Sequence, residues 1–306
     1  MNSIGWGPQG PHSAISAALR LHTPADTRGS HLHATRVELL SPQVINRSDG
    51  CDLVSLSCSY FSKLLEFAKS LPGPVQAFLS YDRHGICWCK ACHRSRGDKD
   101  VYTRGSETYA IPVGWGRIAL PGGGAQAVAL DAFKKWNVAF HGTTAESLQS
   151  ILGTGRLVKP GDRVAALEGK AVGIRGDTKR IRKPFERTNA KSGIVELFDP
   201  NQIFLSPTIH YSELPQYAKK SEWTDLFGDI YDAQLAFQVR IRPGTYGVGQ
   251  QTVGAVDRID PHFSNNEVEW YTTGEEHGSL ILTGLMVKLT PQRLLQKGGH
   301  KKRKMN

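Results

Sequence analysis

From residue 136 to residue 289 the chain alternates short stretches of β-branched and aromatic side chains with turn residues, and this pattern narrows the fold more than any other feature. Trp136-Asn137-Val138-Ala139-Phe140 reads as a strand, and Thr144 can cap a helix through Leu152 that Gly153 and Gly155 terminate. Further strands are expected over 202–206, 234–242, 267–272 and 279–289. Many strands with few helices predict an α+β domain rather than a doubly wound one. The glycines of Tyr246-Gly247-Val248-Gly249 lack the strand–turn–helix context of a dinucleotide fingerprint and read as a sheet turn.

The other half differs. Residues 1–49 are rich in Gly, Pro, Ser, Thr and His and are expected to be a disordered leader. Phe61, Leu64, Leu65 and Ala68 recur at helical spacing over 60–69, and Pro72-Gly73-Pro74 stops that helix. The run Pro121-Gly122-Gly123-Gly124 supports no element in this reading, so it is the expected boundary between an amino-terminal module over 50–125 and a domain over 130–290. Residues 291–306 form a basic tail.

With 39% hydrophobic residues and no apolar run of about twenty, the chain reads as a globular protein without a membrane span. The start, Met1-Asn2-Ser3-Ile4-Gly5-Trp6, lacks the basic and apolar regions of a secretory signal. The five cysteines do not read as a disulfide framework, and an intracellular, reducing location is expected, nucleus or cytoplasm, with His300-Lys301-Lys302-Arg303-Lys304 as a weak nuclear signal. The formal charge of +10 is concentrated in that tail and between Lys159 and Lys191, where Arg175, Lys179, Arg180, Arg182 and Lys183 are candidate nucleic-acid contacts. A solvated basic surface is the plainer alternative.

His84-Gly85-Ile86-Cys87-Trp88-Cys89-Lys90-Ala91-Cys92-His93 gathers five potential zinc ligands. Thiolates two or three residues apart can converge on a tetrahedral ion, which makes Cys87, Cys89, Cys92 and His93 the candidate metal set. Cys92 and His93 are adjacent and need not both bind, so Cys51 or Cys58 could complete the site from outside. A redox role and inert buried thiols are the alternatives. Arg96-Gly97-Asp98 reads as a turn.

Three separated segments carry a more specific pattern: Phe140-His141-Gly142-Thr143, then Gln202-Ile203-Phe204-Leu205-Ser206-Pro207 with Tyr211 and Tyr217, then Asn266-Glu267-Val268-Glu269-Trp270-Tyr271. In this order they resemble the ADP-ribosyltransferase superfamily, in the His-Tyr-Glu branch of the poly(ADP-ribose) polymerases and diphtheria toxin. His141-Gly142-Thr143 is similar to the family's His-Gly-Ser/Thr, the Ile203 segment to its Gly-Ile-Tyr-Phe-Ala strand and following tyrosine, and Asn266-Glu267 to its Asn-Glu-Tyr strand. Phe204 or Leu205 stands where the family often has a tyrosine.

The resemblance implies a split antiparallel β-sheet core and transfer of ADP-ribose from NAD to a macromolecular acceptor, with release of nicotinamide. It implies that His141 holds the adenosine-side ribose, that the Gly142 backbone pairs with the nicotinamide amide, and that Tyr217 stacks on the nicotinamide ring. Thr143, Phe204, Ser206 and Tyr211 would complete the NAD site. Breaking the nicotinamide–ribose bond builds positive charge on the sugar, so a fixed carboxylate is needed there. Glu267 and Glu269 compete for that role, since residues two apart on a strand face one side; Asn266 tips the choice slightly to Glu267. DNA, RNA or a protein side chain could be the acceptor. A catalytically silent module that binds NAD, ADP-ribose or nucleic acid is the alternative.

Overall fold

The computed structural model describes residues 55, 57–81, 85–157, 159, 163–165, 171–173, 184–188, 193–272 and 278–292, with backbone alone at 163–165, 171–173, 187 and 196. The expected leader, Cys51, the five candidate nucleic-acid contacts from Arg175 to Lys183 and the tail beyond 292 lie outside the described residues.

The amphipathic spacing around Phe61 yields helix α1 (Ser59–Ser70), followed by the short α2 (Gly73–Gln76). Strand β1 (Ile86–Cys87) and helix α3 (Lys90–Arg96) hold the cysteine-rich motif, and Gly97 ends α3 in the left-handed conformation at φ 63°. Next come the hairpin β2 (Val101–Arg104) and β3 (Glu107–Ala110), then β4 (Gly116–Ala119), α4 (Pro121–Ala129) and α5 (Ala132–Lys135). Strand β5 (Asn137–Thr143) leads into α6 (Ala145–Thr154), which Gly155 closes at φ 65°. Hairpins β6 (Arg163–Ala165) with β7 (Ala171–Gly173) and β8 (Phe185–Thr188) with β9 (Val195–Phe198) precede β10 (Ile203–Leu205) and α7 (Ile209–Ser212). The last strands are β11 (Ser221–Thr224), β12 (Ile230–Ile241), β13 (Gly247–Gly249), β14 (Glu269–Thr272) and β15 (Leu280–Pro291).

Mixed α+β with antiparallel sheets is therefore the observed class. The main sheet runs β1-β4-β15-β12-β11, and β5 also pairs with β12. Along one edge of β12, β11 covers residues 230–233 and β5 covers 235–241, while β15 covers the other edge with a bulge at Gln238/Val239. A second sheet runs β10-β14-β13. Reciprocal backbone bonds between Phe140 and Ser206, 2.8 and 2.9 Å, bridge the two sheets.

Period-two alternation on β12 explains the core. Leu235, Phe237, Val239 and Ile241 pack in one cluster with Phe61, Leu64 and Phe67 of α1, whereas Ala236 joins Trp115, Phe140, Ile209 and Met286 in another. Burying each such large side chain contributes roughly 1.5–3 kcal/mol, and the Leu289 N–H of β15, which donates to the Tyr60 hydroxyl at 3.0 Å, adds a polar tie between α1 and the sheet. Its approach is close: a Cβ at Gly116 would lie 2.3 Å from Leu64 Cδ1.

Apart from Gly247–Gly249, which form strand β13 on β14 rather than the sheet turn expected there, two expectations change. The glycine run is not an elementless linker, because Pro121 opens α4 and Gly122, Gly123 and Gly124 continue it. A Cβ at Gly123 would sit 1.6 Å from the Leu282 carbonyl oxygen, so glycine here lets a helix lie on the backbone of β15. Strands on both sides of that run, β1 and β4 before it and β5, β12 and β15 after it, share one sheet, and all described residues fall in one compact unit, Val44–Asn306. The second change concerns residues 267–272. The strand starts only at Glu269, since Glu267 belongs to a turn in which its N–H donates to the Ser264 carbonyl at 3.1 Å.

Candidate functional site

Strand β14 places Glu269 in the interior with 0% exposure, and a carboxylate there needs donors. Two converge on its Oε2: the Tyr211 hydroxyl at 2.6 Å and the Thr252 hydroxyl at 2.7 Å. Tyr211 accepts in turn from the Thr252 N–H at 3.1 Å and lies 2.9 Å, oxygen to oxygen, from Tyr217, with ring centroids 5.2 Å apart. Burial, and then the charge of Glu269, hold the Tyr211 phenol well above its usual range, so it stays a donor.

Strand β5 brings in the first motif. His141, Gly142 and Thr143 do not leave the end of the strand; they continue it, paired with Phe237, Ala236 and Leu235. His141 Nδ1 lies 2.8 Å from the Phe204 carbonyl oxygen, which can only accept, so Nδ1 carries the proton in the neutral ring. A Cβ at Gly142 would meet the Ser212 carbonyl at 2.1 Å and Tyr217 Cβ at 2.7 Å. Glycine is thus required by the protein's own close packing, where strand β5 touches the segment that carries Tyr211 and Tyr217. His141 and Tyr217 are half-buried, whereas Thr143, Tyr211 and Glu269 are buried.

Four of the expected residues, His141, Gly142, Tyr217 and Tyr211, are therefore brought to one region with Glu269. Phe204 reaches it through its backbone, while its ring packs 5.6 Å from that of Phe198. The Ser206 hydroxyl accepts from the Thr208 N–H at 3.2 Å, a turn contact rather than a place in the Glu269 cluster. Glu267 does not join either. Its carboxylate accepts from the Ser264 N–H at 2.9 Å and closes its own turn.

Two participants escaped the sequence reading. Thr252 sits in an irregular stretch with no periodicity to mark it. Asp260, 0% exposed, accepts from the Thr208 hydroxyl, from His210 Nδ1 at 3.1 Å and from the His262 N–H at 2.7 Å, and so ties down the turn that presents Tyr211. Burial works against its ionisation, but hydrogen bonds from His210, Thr208 and His262 outweigh it and hold the carboxyl below its ordinary range. The bond to Asp260 raises His210 in return.

A separate polar cluster lies at the β1 edge of the main sheet. The sulfurs of Cys58, Cys87, Cys89 and Cys92 all lie within 4.8 Å of one another, an arrangement that could hold a structural metal such as zinc. Cys58, which caps α1, takes the place expected for His93. His93 faces away from the thiols, with Nε2 3.2 Å from Asp100 and Nδ1 3.7 Å from Asp98. The Cys87 and Cys92 thiols are pushed up by burial first; Cys89, although burial acts to raise it, is lowered by hydrogen bonds from the Cys92 N–H and from neighbouring thiols.

Among the described residues, no helix is long and apolar enough to cross a membrane. No family model matches the chain.

Proposed function

We propose that the chain transfers ADP-ribose from NAD to a macromolecular acceptor, with Glu269 rather than Glu267 as the carboxylate that serves the reaction. The observation that supports this reading is the meeting of three sequence-distant segments: Gly142, next to His141 on β5, packs against Tyr217, while Tyr217 and Glu269 both reach the Tyr211 hydroxyl. In this reading the two antiparallel sheets bridged at Phe140 and Ser206 are the split core of an ADP-ribosyltransferase-like fold. The protein would work inside the cell, in nucleus or cytoplasm.

The chemistry follows from the groups. The bond between ribose C1′ and the nicotinamide nitrogen breaks, its electron pair leaves with nicotinamide, and positive charge develops on the sugar. A nucleophile of the acceptor, a nucleic-acid base or end or a protein side chain, then bonds to C1′ and gives up its proton. Glu269, fixed by Tyr211 and Thr252, is a preorganised negative charge in a site of low polarisability, where it favours the cationic transition state more than the neutral-sugar ground state. Tyr217 offers the aromatic face for nicotinamide, and His141, its ring held by the Phe204 carbonyl, orients the adenosine ribose. Zinc at the four thiols would take no part, because four protein ligands leave no position for substrate.

A second reading, a catalytically silent module that binds NAD, ADP-ribose or nucleic acid, draws support from the complete burial of Glu269, which already has two donors. One experiment separates the two. Labelled NAD is incubated with the protein and separate pools of DNA, RNA and protein, with Glu269→Gln and Glu267→Gln in parallel. Transfer that falls roughly 100- to 1,000-fold in Glu269→Gln and stays near wild type in Glu267→Gln supports the enzyme. Absence of both transfer and NAD hydrolysis in the folded wild type supports the silent module.

A further inference from the structure

We infer that Cys58, Cys87, Cys89 and Cys92 form a closed four-thiolate zinc site whose role is to fasten α1 and α3 to the β1 edge of the main sheet. The geometry is that of an ion's first coordination sphere. A tetrahedron with zinc–sulfur bonds of about 2.3 Å has sulfur–sulfur edges of about 3.8 Å. Cys58 Sγ lies 3.7 Å from Cys87 Sγ and 3.7 Å from Cys89 Sγ, and all four sulfurs fall within 4.8 Å.

Pairwise disulfides fit less well. They would draw each sulfur to about 2.05 Å from a single partner, whereas Cys58 is equidistant from two. Backbone donors also point at the sulfurs: the Cys89 N–H at 3.4 Å from Cys87 Sγ and the Cys92 N–H at 3.5 Å from Cys89 Sγ. Such outer contacts orient thiolate ligands and stabilise their negative charge.

The placement explains why a cross-link is useful there. Strand β1 has two residues, and its ladder consists of Ile86 opposite Arg117 and Cys87 opposite Gly116. So short an edge strand fixes little by itself. Yet it stands between the start of α1, where Cys58 is the cap, and the first turn of α3, where Cys89 is the cap and Cys92 follows. One ion joins all three elements. Its closed shell makes it structural, and the inference does not depend on the NAD reading.

The test uses the full chain, purified without chelator. Elemental analysis is expected to give one zinc per folded chain, and cobalt(II) substitution to give the visible spectrum and intense sulfur-to-metal charge transfer of four thiolates around a tetrahedral ion. Zinc affinity, read by competition with a chromophoric chelator, is expected to fall about 100-fold or more in Cys58→Ser, since disturbing even outer partners costs 10- to 100-fold, and to stay unchanged in His93→Ala. Hydrogen exchange after chelation should speed up in α1, β1 and α3 before β12 and β15. Folded wild-type protein that neither contains nor takes up zinc overturns the site. Disulfides among these cysteines in that protein, iron in place of zinc, or equal loss of zinc in His93→Ala overturns it as well. Should Cys58→Ser not fold, the metal content and cobalt spectrum of the wild type decide.

Discussion

The thiol cluster and the Glu269 cluster are both small polar knots in largely apolar surroundings, but they are tied from different lengths of chain. Three of the four thiols come from Cys87, Cys89 and Cys92, within one strand end and one helical turn. Tyr211 reaches Glu269 across 58 positions and Thr252 across 41. The first can therefore form as soon as a local turn and α1 meet, and it helps to make the fold. The second exists only after β5, α7 and β14 have found their places, and it reports that the fold is complete.

That contrast is sharpened by changes that strike one knot and spare the other. The largest stability effect is expected from Gly142→Ala, whose new methyl group would press on the Ser212 backbone and on Tyr217. Overpacking against backbone costs about 3 kcal/mol, so a lowered denaturation midpoint and a loss of any NAD turnover should appear while zinc content holds. If zinc is lost too, the knots are not separate.

Tyr211→Phe should come next. It removes the Tyr211 donor to a buried carboxylate and leaves that of Thr252, a loss of about 1–3 kcal/mol measured by denaturant unfolding. An unchanged midpoint would mean that the Tyr211 hydroxyl is not needed to satisfy Glu269.

The smallest effect belongs to pH. His210 is raised by its bond to Asp260, and the groups that bear on it are Asp260, Glu213 and Lys288. A raised histidine contributes stability that is whole below its ordinary value near 6.5 and lost as pH rises through the raised one. Asp260, being lowered, contributes above its ordinary 3.8 and loses that contribution only as pH falls through the lowered value. His210 is partly exposed, and solvent screening keeps its share under about 1 kcal/mol. Melting temperature should therefore fall slightly more between pH 6 and pH 9 in wild type than in His210→Gln. An identical fall in both would show that the Asp260 tie does not depend on the charge of His210.

The same contrast explains what could be read from the sequence. The strands expected over 202–206 and 279–289 appear as β10 and β15, since β-branched and aromatic runs with turn punctuation state their own period. His141, Tyr211, Tyr217 and the cysteine motif were legible as residue types in order. Which of Glu267 and Glu269 joins the Tyr211 cluster was not, because it rests on where β14 begins, and a turn closed between Ser264 and Glu267 sets that start. Thr252 was invisible for a similar reason: its partners are assigned by tertiary packing alone. His93 looked like a ligand by proximity, while Cys58, 29 positions before Cys87, completes the set by docking of a helix. The glycine run misled because glycine serves both flexible linkers and tight contacts, and only the neighbouring Leu282 backbone distinguishes them.

The main sheet crosses the position of that run, with β4 joined to β15 from Gly284 opposite Ala119 to Val287 opposite Gly116. A polypeptide nicked beside the exposed Leu130 would consequently not come apart into two self-sufficient pieces. Each fragment would carry a bare row of amide and carbonyl groups that only the other can saturate, which makes the pair natural complements for reconstitution from halves.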